Sequence, residues 1–303
     1  MTELFRPTIC LGEAIVDLVG DKEATPGGIP NSFRPHPGGA LANVAVAVAR
    51  GGRAVELVGG VGDDGWGRWL AEDLEKERVG TRWLARVPDL DSPLAMVLFD
   101  ESGEPGFQVY GEGIGPLMEA ARPHLGEALT DAGALVIGAN TMVGETEREV
   151  TREALELARD AGVPVVLDPN HRPGRWSNRA EAIQLTLELV RASTVVKANR
   201  AEAELLTGEA GSREAARELL ELGPELVVIT DGAGEVTVAG ETEAMVSPEP
   251  VEVVSPLGAG DAFLGGLVAG LDASGWDLGS ASGPVQAACE AAAGACRTVG
   301  AHS

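Results

Sequence analysis

Positive charge is scarce in this sequence. Lysine and arginine together number 23 against 47 aspartates and glutamates, and only three lysines occur, Lys22, Lys76 and Lys197. The formal net charge of -24 repels a polyphosphate backbone, which excludes nucleic acid as an expected partner. It also repels a nucleoside triphosphate at long range, so a site for one must rely on backbone N–H groups, a metal ion and a few placed cations. Cysteine is nearly absent. Cys10, Cys289 and Cys296 are odd in number and show no metal-ligand spacing, so they read as core residues of a reducing compartment and not as a disulfide framework. Long apolar runs are missing too: no stretch approaches the length that crosses a bilayer, and no membrane contact is expected. The opening MTELFRPTICLGEAIVDLVG has no basic stretch leading into an apolar segment; it does not read as a signal peptide, and a cytoplasmic location is expected. Aromatic residues make up 4%, and Tyr110 is the single tyrosine. There is no internal repeat and no low-complexity tail.

What is present is a chain of 303 residues, 44% hydrophobic, long enough for a large α/β core. Short β-branched runs alternate with amphipathic stretches. Strands are expected at Thr8–Glu13, Val55–Val58, Ala134–Gly138, Val163–Leu167, Thr194–Ala198, Leu226–Thr230 and Val251–Val254. Several are apolar almost throughout, as parallel strands covered on both faces must be. Helical patterns fall at Leu41–Arg50, Trp66–Glu77, Thr146–Ala161, Arg200–Leu206, Arg213–Leu222, Asp261–Leu271 and Val285–Arg297. This alternation predicts a central, mostly parallel sheet with helices on both faces. Residues 14–36, with Pro26, Gly27 and Gly28, and residues 94–110, LAMVLFDESGEPGFQVY, break the pattern. Together they predict a small antiparallel flap that Phe99, Phe107 and Tyr110 could line above a polar substrate; a plain surface hairpin is the other reading.

Four motifs could carry chemistry. Gly258-Ala259-Gly260-Asp261 opens a helix after an expected strand. Its backbone N–H groups would face an anion at the positive end of the helix, and Asp261 would accept a proton from an attacking hydroxyl. A simple capping aspartate is the alternative. Asn199-x-x-Glu202 could hold water around a phosphate-bound Mg²⁺ or form a capping box, with Lys197 facing a phosphate or only a strand end. Asp168-Pro169-Asn170-His171-Arg172 stands at a strand's carboxyl end, where open sheets bind ligands, and Arg172 suits a phosphate or sugar-acid clamp. Pro37-Gly38-Gly39-Ala40-Leu41-Ala42-Asn43 could admit a polyol to the backbone or merely turn into a core helix. A dinucleotide-dependent oxidoreductase is disfavoured, because Leu11–Gly20 contains no Gly-x-Gly-x-x-Gly.

The order of these motifs, together with Gly12-Glu13 and Asp17, Val61-Gly62-x-Asp64-x-x-Gly67 and Thr230-x-Gly232-x-Gly234, resembles the PfkB/ribokinase sugar kinases along essentially the whole chain. The resemblance implies a single ribokinase-like domain over 1–303, a Rossmann-type three-layer α/β sandwich with a small β-sheet lid from segments 14–36 and 94–110. It implies transfer of the γ-phosphate of ATP, with Mg²⁺, to a sugar hydroxyl. Asp261 would be the base, the backbone N–H groups of Ala259, Gly260 and Asp261 would form the anion hole, and Gly258 and Arg172 would complete the catalytic set. Lys197, Asn199, Glu202, Thr230, Gly232 and Gly234 would serve the nucleotide, with Asn199 and Glu202 at the metal through water, and the Val285–Arg297 region would flank the adenine. Asp17, Gly38, Gly39, Asn43, Phe107, Tyr110 and Asp168 would hold the sugar. Members often pair as dimers through their lids, so a homodimer is expected. Ser255-Pro256-Leu257 replaces the family's usual Asp-Thr-Thr, which argues against potassium activation. The motifs look most like fructokinases and 2-keto-3-deoxygluconate kinases. Tyr110 is followed by Gly111 where a lid arginine is usual, which favours fructose over a charged sugar. The alternative of another class is a catalytically silent sugar- or nucleotide-binding protein.

Overall fold

The computed structural model describes residues 6–21, 29–100, 105–111 and 113–297. The main sheet begins with β1 (Thr8–Leu11), after which β2 (Ile15–Gly20) and β3 (Phe33–Gly38) leave it. The chain returns through α1 (Ala40–Arg50), β4 (Val55–Gly62), α2 (Gly65–Lys76) and β5 (Leu84–Val87). It leaves again as β6 (Leu94–Phe99) and β7 (Pro105–Tyr110), then adds α3 (Gly115–Ala121), α4 (Leu125–Thr130), β8 (Ala134–Gly138) and α5 (Glu145–Ala161). The second half runs β9 (Val165–Asp168), α6 (Arg179–Ala192), β10 (Val195–Asn199), α7 (Arg200–Thr207), α8 (Ser212–Glu221) and β11 (Leu226–Thr230). It closes with β12 (Val236–Ala239), β13 (Ala244–Val246), α9 (Ala259–Ala273) and α10 (Ser282–Ala295).

Nine strands make one sheet in the order β13-β12-β11-β10-β9-β8-β1-β4-β5; every neighbouring pair from β11 to β5 in that order is parallel, and the β11–β12 and β12–β13 pairs are antiparallel. The alternation of side chains along a strand explains the layers. Ile9, Leu11, Leu135, Ile137, Val165 and Leu167 belong to the core under α3 to α8, whereas Cys10, Val136 and Val166 belong to the core under α1, α2, α9 and α10. Both faces are covered, so the strands are apolar on both sides, as the sequence predicts.

A separate four-stranded sheet has the order β3-β2-β6-β7, with β2 and β6 parallel and the outer pairs antiparallel. It matches the two interrupting segments, but it is mixed where an antiparallel flap is expected, because β2 and β6 come from separate segments and pair in parallel; Pro26, Gly27 and Gly28 and the turn expected at 101–104 lie outside the described residues.

One expected strand does not form. Val251–Val254 is irregular, with Val253 and Val254 56% and 49% exposed. Pro248, Pro250 and Pro256 crowd this segment and break any ladder, and the N–H groups of Val254 and Ser255 instead donate to the Cys296 carbonyl at 2.8 and 3.2 Å. Helix α6 went unmarked in the sequence although its signal is local: Asn178 Oδ1 accepts from the N–H groups of Ala180 and Glu181 at 2.9 and 3.3 Å.

Candidate active site

Between the small sheet and the carboxyl edge of the main sheet lies a cavity of about 360 Å³. Ile15 and Asp17 of β2, Ala95 of β6 and Phe107 and Val109 of β7 form one wall. Glu13 after β1, Gly39, Ala40 and Asn43 at the start of α1, Asn140 after β8, the 172–175 loop after β9, and Leu257, Gly258 and Asp261 at the start of α9 form the rest. The loops meet because their strands are parallel neighbours, so their carboxyl ends open on the same edge.

Asp261 stands in the first turn of α9, which starts from Gly258 at φ 79°. The Ala259 N–H donates to Pro256 O at 3.2 Å, so this expected anion-hole donor is already engaged. Gly260 and Asp261 occupy first-turn positions whose N–H groups have no acceptor within a helix. Two amides converge on the carboxylate. Asn43 Nδ2 donates to Asp261 Oδ2 at 2.8 Å, and Asn170 Nδ2 donates to Oδ1 at 3.3 Å.

Three carboxyls share the cavity, and burial pushes each of them up. Asp17 is pushed up to about 7, by burial first and then by Asp261 and Glu13, against the pull of Arg172. Glu13 is raised by burial, partly offset by Arg175. Asp261 is raised by burial, offset by the Asn43 hydrogen bond and Arg172. The Arg172 guanidinium lies 4.9 Å from the centre of the Phe107 ring, which ties the 172–175 loop to β7. Glu13 Oε2, Asn43 Oδ1 and Asn140 Oδ1 line this space as buried acceptors without a hydrogen-bond partner. Buried acceptors without donors are costly, and a ligand rich in hydroxyl groups satisfies them.

Several expected site residues sit elsewhere. Asp168 does not line the cavity: its Oδ2 accepts from Lys197 Nζ at 2.8 Å, and both side chains are buried. Lys197 is therefore committed to an ion pair, with its ammonium close beneath Gly260. Tyr110 is 51% exposed and its hydroxyl donates to Gln108 Oε1 at 3.2 Å; alternation along β7 turns Phe107 and Val109 inward and Tyr110 away from the cavity. Phe99 packs on the cluster of Val19, Val97 and Leu257 and does not line this cavity. Gly38 lies behind the wall, where its missing side chain makes room for Asp17: a Cβ there would fall 2.3 Å from Asp17 Oδ2.

Asn199 and Glu202 form the capping box. Asn199 Oδ1 accepts from the Glu202 N–H at 2.9 Å, and Glu202 Oε2 accepts from the Asn199 N–H at 2.9 Å. Glu202 Oε1 accepts from the His171 N–H at 2.8 Å. With these atoms engaged, the pair does not offer direct ligation of a divalent ion, and no cluster of three or more His, Cys, Asp or Glu among the described residues could hold one. Thr230 lies beside Asn199 in register at the ends of β11 and β10, and Gly232 and Gly234 form the turn that follows. This group borders the sheet edge away from the cavity.

Glu13 and Asn170 stand inside motifs visible in the sequence, although neither was singled out there. Asn140 and Arg175 carry no local signal, and only the fold brings them to the cavity.

The pfkB family carbohydrate kinase profile matches residues 8–303. The chain is 30% identical over 267 residues to a fructokinase of Vibrio alginolyticus, spanning 85% of this chain and 81% of that one. It is 31% identical over 280 residues to an aminoimidazole riboside kinase of Salmonella typhimurium, spanning 88% and 82%. Among solved structures, a fructokinase double mutant from Vibrio cholerae O395 in a fructose-, ADP- and potassium-bound form superposes with a TM-score of 0.86 at 27% identity, covering 99% of this chain and 94% of that chain. The fold is the ribokinase-like α/β fold. The chain belongs to the PfkB family of carbohydrate kinases and is a sugar kinase.

Proposed function

We propose that this chain transfers the γ-phosphate of ATP to a hydroxyl of a neutral hexose, with fructose the best acceptor. The observation that carries this is the set of partnerless acceptors, Glu13 Oε2, Asn43 Oδ1 and Asn140 Oδ1, around the Asp261 carboxylate. They suit a polyol. Asp261 takes the proton of the attacking hydroxyl, the sugar oxygen bonds to the γ-phosphorus, and the bond to the β-phosphate oxygen breaks to release ADP. The first turn of α9 stabilises the charge on the transferring group, and Gly258 shapes that turn. Asp17, Gly39, Asn43 and Phe107 hold the sugar, and Arg172 neutralises charge between sugar and phosphate. The nucleotide extends from α9 along the ends of β10 and β11, past Asn199, Thr230, Gly232 and Gly234 toward α10. A solved fructokinase from Xylella fastidiosa with ATP bound, 29% identical, supports the choice of nucleotide. Mg²⁺ bound with the nucleotide would offset phosphate charge, and Asn199 and Glu202 would hold it through water. Lid-to-lid pairing through the exposed side of β7, a single catalytic unit and a cytoplasmic location complete the proposal; no helix among the described residues is long and apolar enough to cross a membrane.

A second reading, a sugar-acid kinase of the 2-keto-3-deoxygluconate type, draws on Arg172 and Arg175, which both line the cavity. Glu13 and Asp17 oppose it, since they face the same space and repel a carboxylate. The test is ADP release with ATP and Mg²⁺ against fructose, ketodeoxygluconate, ribose, tagatose and a riboside, at constant ionic strength with and without potassium. Fructose giving the highest kcat/KM, with little potassium activation, is the expected result. An Asp261→Asn control is expected to lose about 100- to 10,000-fold in turnover while still binding ATP. A preference for ketodeoxygluconate would overturn the neutral-hexose reading, and no turnover with any acceptor would favour a silent binding protein.

A further inference from the structure

Behind the cavity wall, a line of polar contacts runs from the sheet interior to Asp261. Lys197 Nζ donates to Asp168 Oδ2 at 2.8 Å. Asp168 Oδ1 accepts from the Asn170 N–H at 3.0 Å. Asn170 Nδ2 donates to Asp261 Oδ1 at 3.3 Å. On the far side of Asn170, the His171 N–H is held by Glu202 at 2.8 Å. Asn170 is thus bracketed by two buried carboxylates from different elements.

Its backbone is also unusual. Asn170 has φ 42°, one of four non-glycine residues with positive φ among those described. A left-handed non-glycine residue persists only where its surroundings over-determine it. Here the Asp168 turn and the Glu202 contact do so, and the consequence is an amide aimed at one oxygen of Asp261. Lys197 supplies the opposite charge to Asp168 where both side chains are buried and an unpaired charge is costly.

We propose that Lys197, Asp168 and Asn170 form a buried positioning relay that fixes the orientation of the Asp261 carboxylate. None of the three lines the cavity. Asn43 orients the other oxygen, so the base is clamped from both sides and its rotation is restricted. The inference rests on Asp261 being the base. The groups that face Asp261 are Glu13, Asp17, Arg172, Asp168 and Lys197.

The test uses the full chain with ATP and the best acceptor of the sugar panel. Asn170→Gly removes the amide and keeps a residue at ease with positive φ. The expected result is a fall in kcat of about 10- to 100-fold, a sugar KM changed less than about threefold, and an acid limb of the pH profile moved upward, because a donor to the ionised carboxyl is lost. Lys197→Met is expected to lower kcat similarly, and adding Asp168→Asn to it restores part of the loss, since the stranded charge is removed while an acceptor for the Asn170 N–H remains. If Lys197→Met does not fold, Asn170→Gly alone decides. A wild-type kcat in Asn170→Gly would overturn the relay, as would a raised sugar KM at unchanged kcat, which would make Asn170 a sugar contact. Failure of the base assignment is distinguishable: Asp261→Asn would then retain turnover.

Discussion

Gly39→Ala tests how tightly the start of α1 is fitted to the cavity. Gly39 sits between β3 and α1 at φ 101° and ψ 120°, a conformation open to glycine and few other residues. A Cβ there would fall 2.3 Å from the Glu13 carbonyl oxygen and 3.1 Å from Ala14 Cα. A relaxed carbon–oxygen contact needs about 3.3 Å, so the start of α1 must move away from Glu13 by about 1 Å. Asn43 rides on that turn, its N–H donating to Gly39 O at 2.8 Å. The same movement stretches the 2.8 Å Asn43–Asp261 bond beyond hydrogen-bonding range. Backbone strain costs about 1–3 kcal/mol, and a misplacement of this size at a reacting centre costs about 100-fold in rate. Steady-state ADP release and thermal denaturation are the assays. The expected outcome is about 100-fold lower kcat/KM with a melting temperature several degrees lower, about 2–4 °C per kcal/mol. Gly52→Ala is the control: φ is 77° but no heavy atom lies within 4 Å of its Cβ, so it lowers stability and leaves turnover alone. A Gly39→Ala variant with wild-type kcat/KM would refute the fit.

Two further outcomes are expected. The Asp17 carboxyl is raised to about 7 in the folded protein, from an ordinary value of 3.8. The folded state therefore holds a proton that the unfolded chain releases between those values, so this group's contribution to stability falls as pH rises from about 4 to about 7. Sugar binding needs the ionised form as a hydroxyl acceptor, so kcat/KM for the sugar should climb through about pH 7, and Asp17→Asn should flatten that limb; an unchanged limb in the variant would refute the assignment. Phe107→Ala removes the ring under Arg172 and should raise the sugar KM by about 2- to 30-fold, whereas Tyr110→Ala, on the outer face, should leave KM within about twofold; equal effects in the two variants would show that the small sheet is not disposed as described.

The near-continuous apolar runs of β1, β8 and β9, set between helical patterns, carried enough information to specify a parallel sheet covered on both faces, because apolar runs and helical periods are local properties of the chain. The same holds for the capping box at Asn199 and Glu202 and for Asp261 in a helix's first turn, both written within a few consecutive residues. The Asn43–Asp261 contact joins residues 218 apart, and the Asn170–Asp261 contact joins residues 91 apart. No local pattern encodes such pairs; they follow from which strands lie side by side. Asp168 and Lys197 illustrate the same limit. Each looked like a ligand contact when viewed alone, but adjacent parallel strands, β9 and β10, bring the two within 2.8 Å, and two opposite charges deprived of water satisfy each other. The facing of Tyr110 turned on the register of β7 against β6, where a shift of one residue exchanges the two faces of a strand. The sequence by itself determined the kind of fold and the chemistry carried by its motifs; the tertiary structure decided which of those groups meet in the cavity and which are spent on one another.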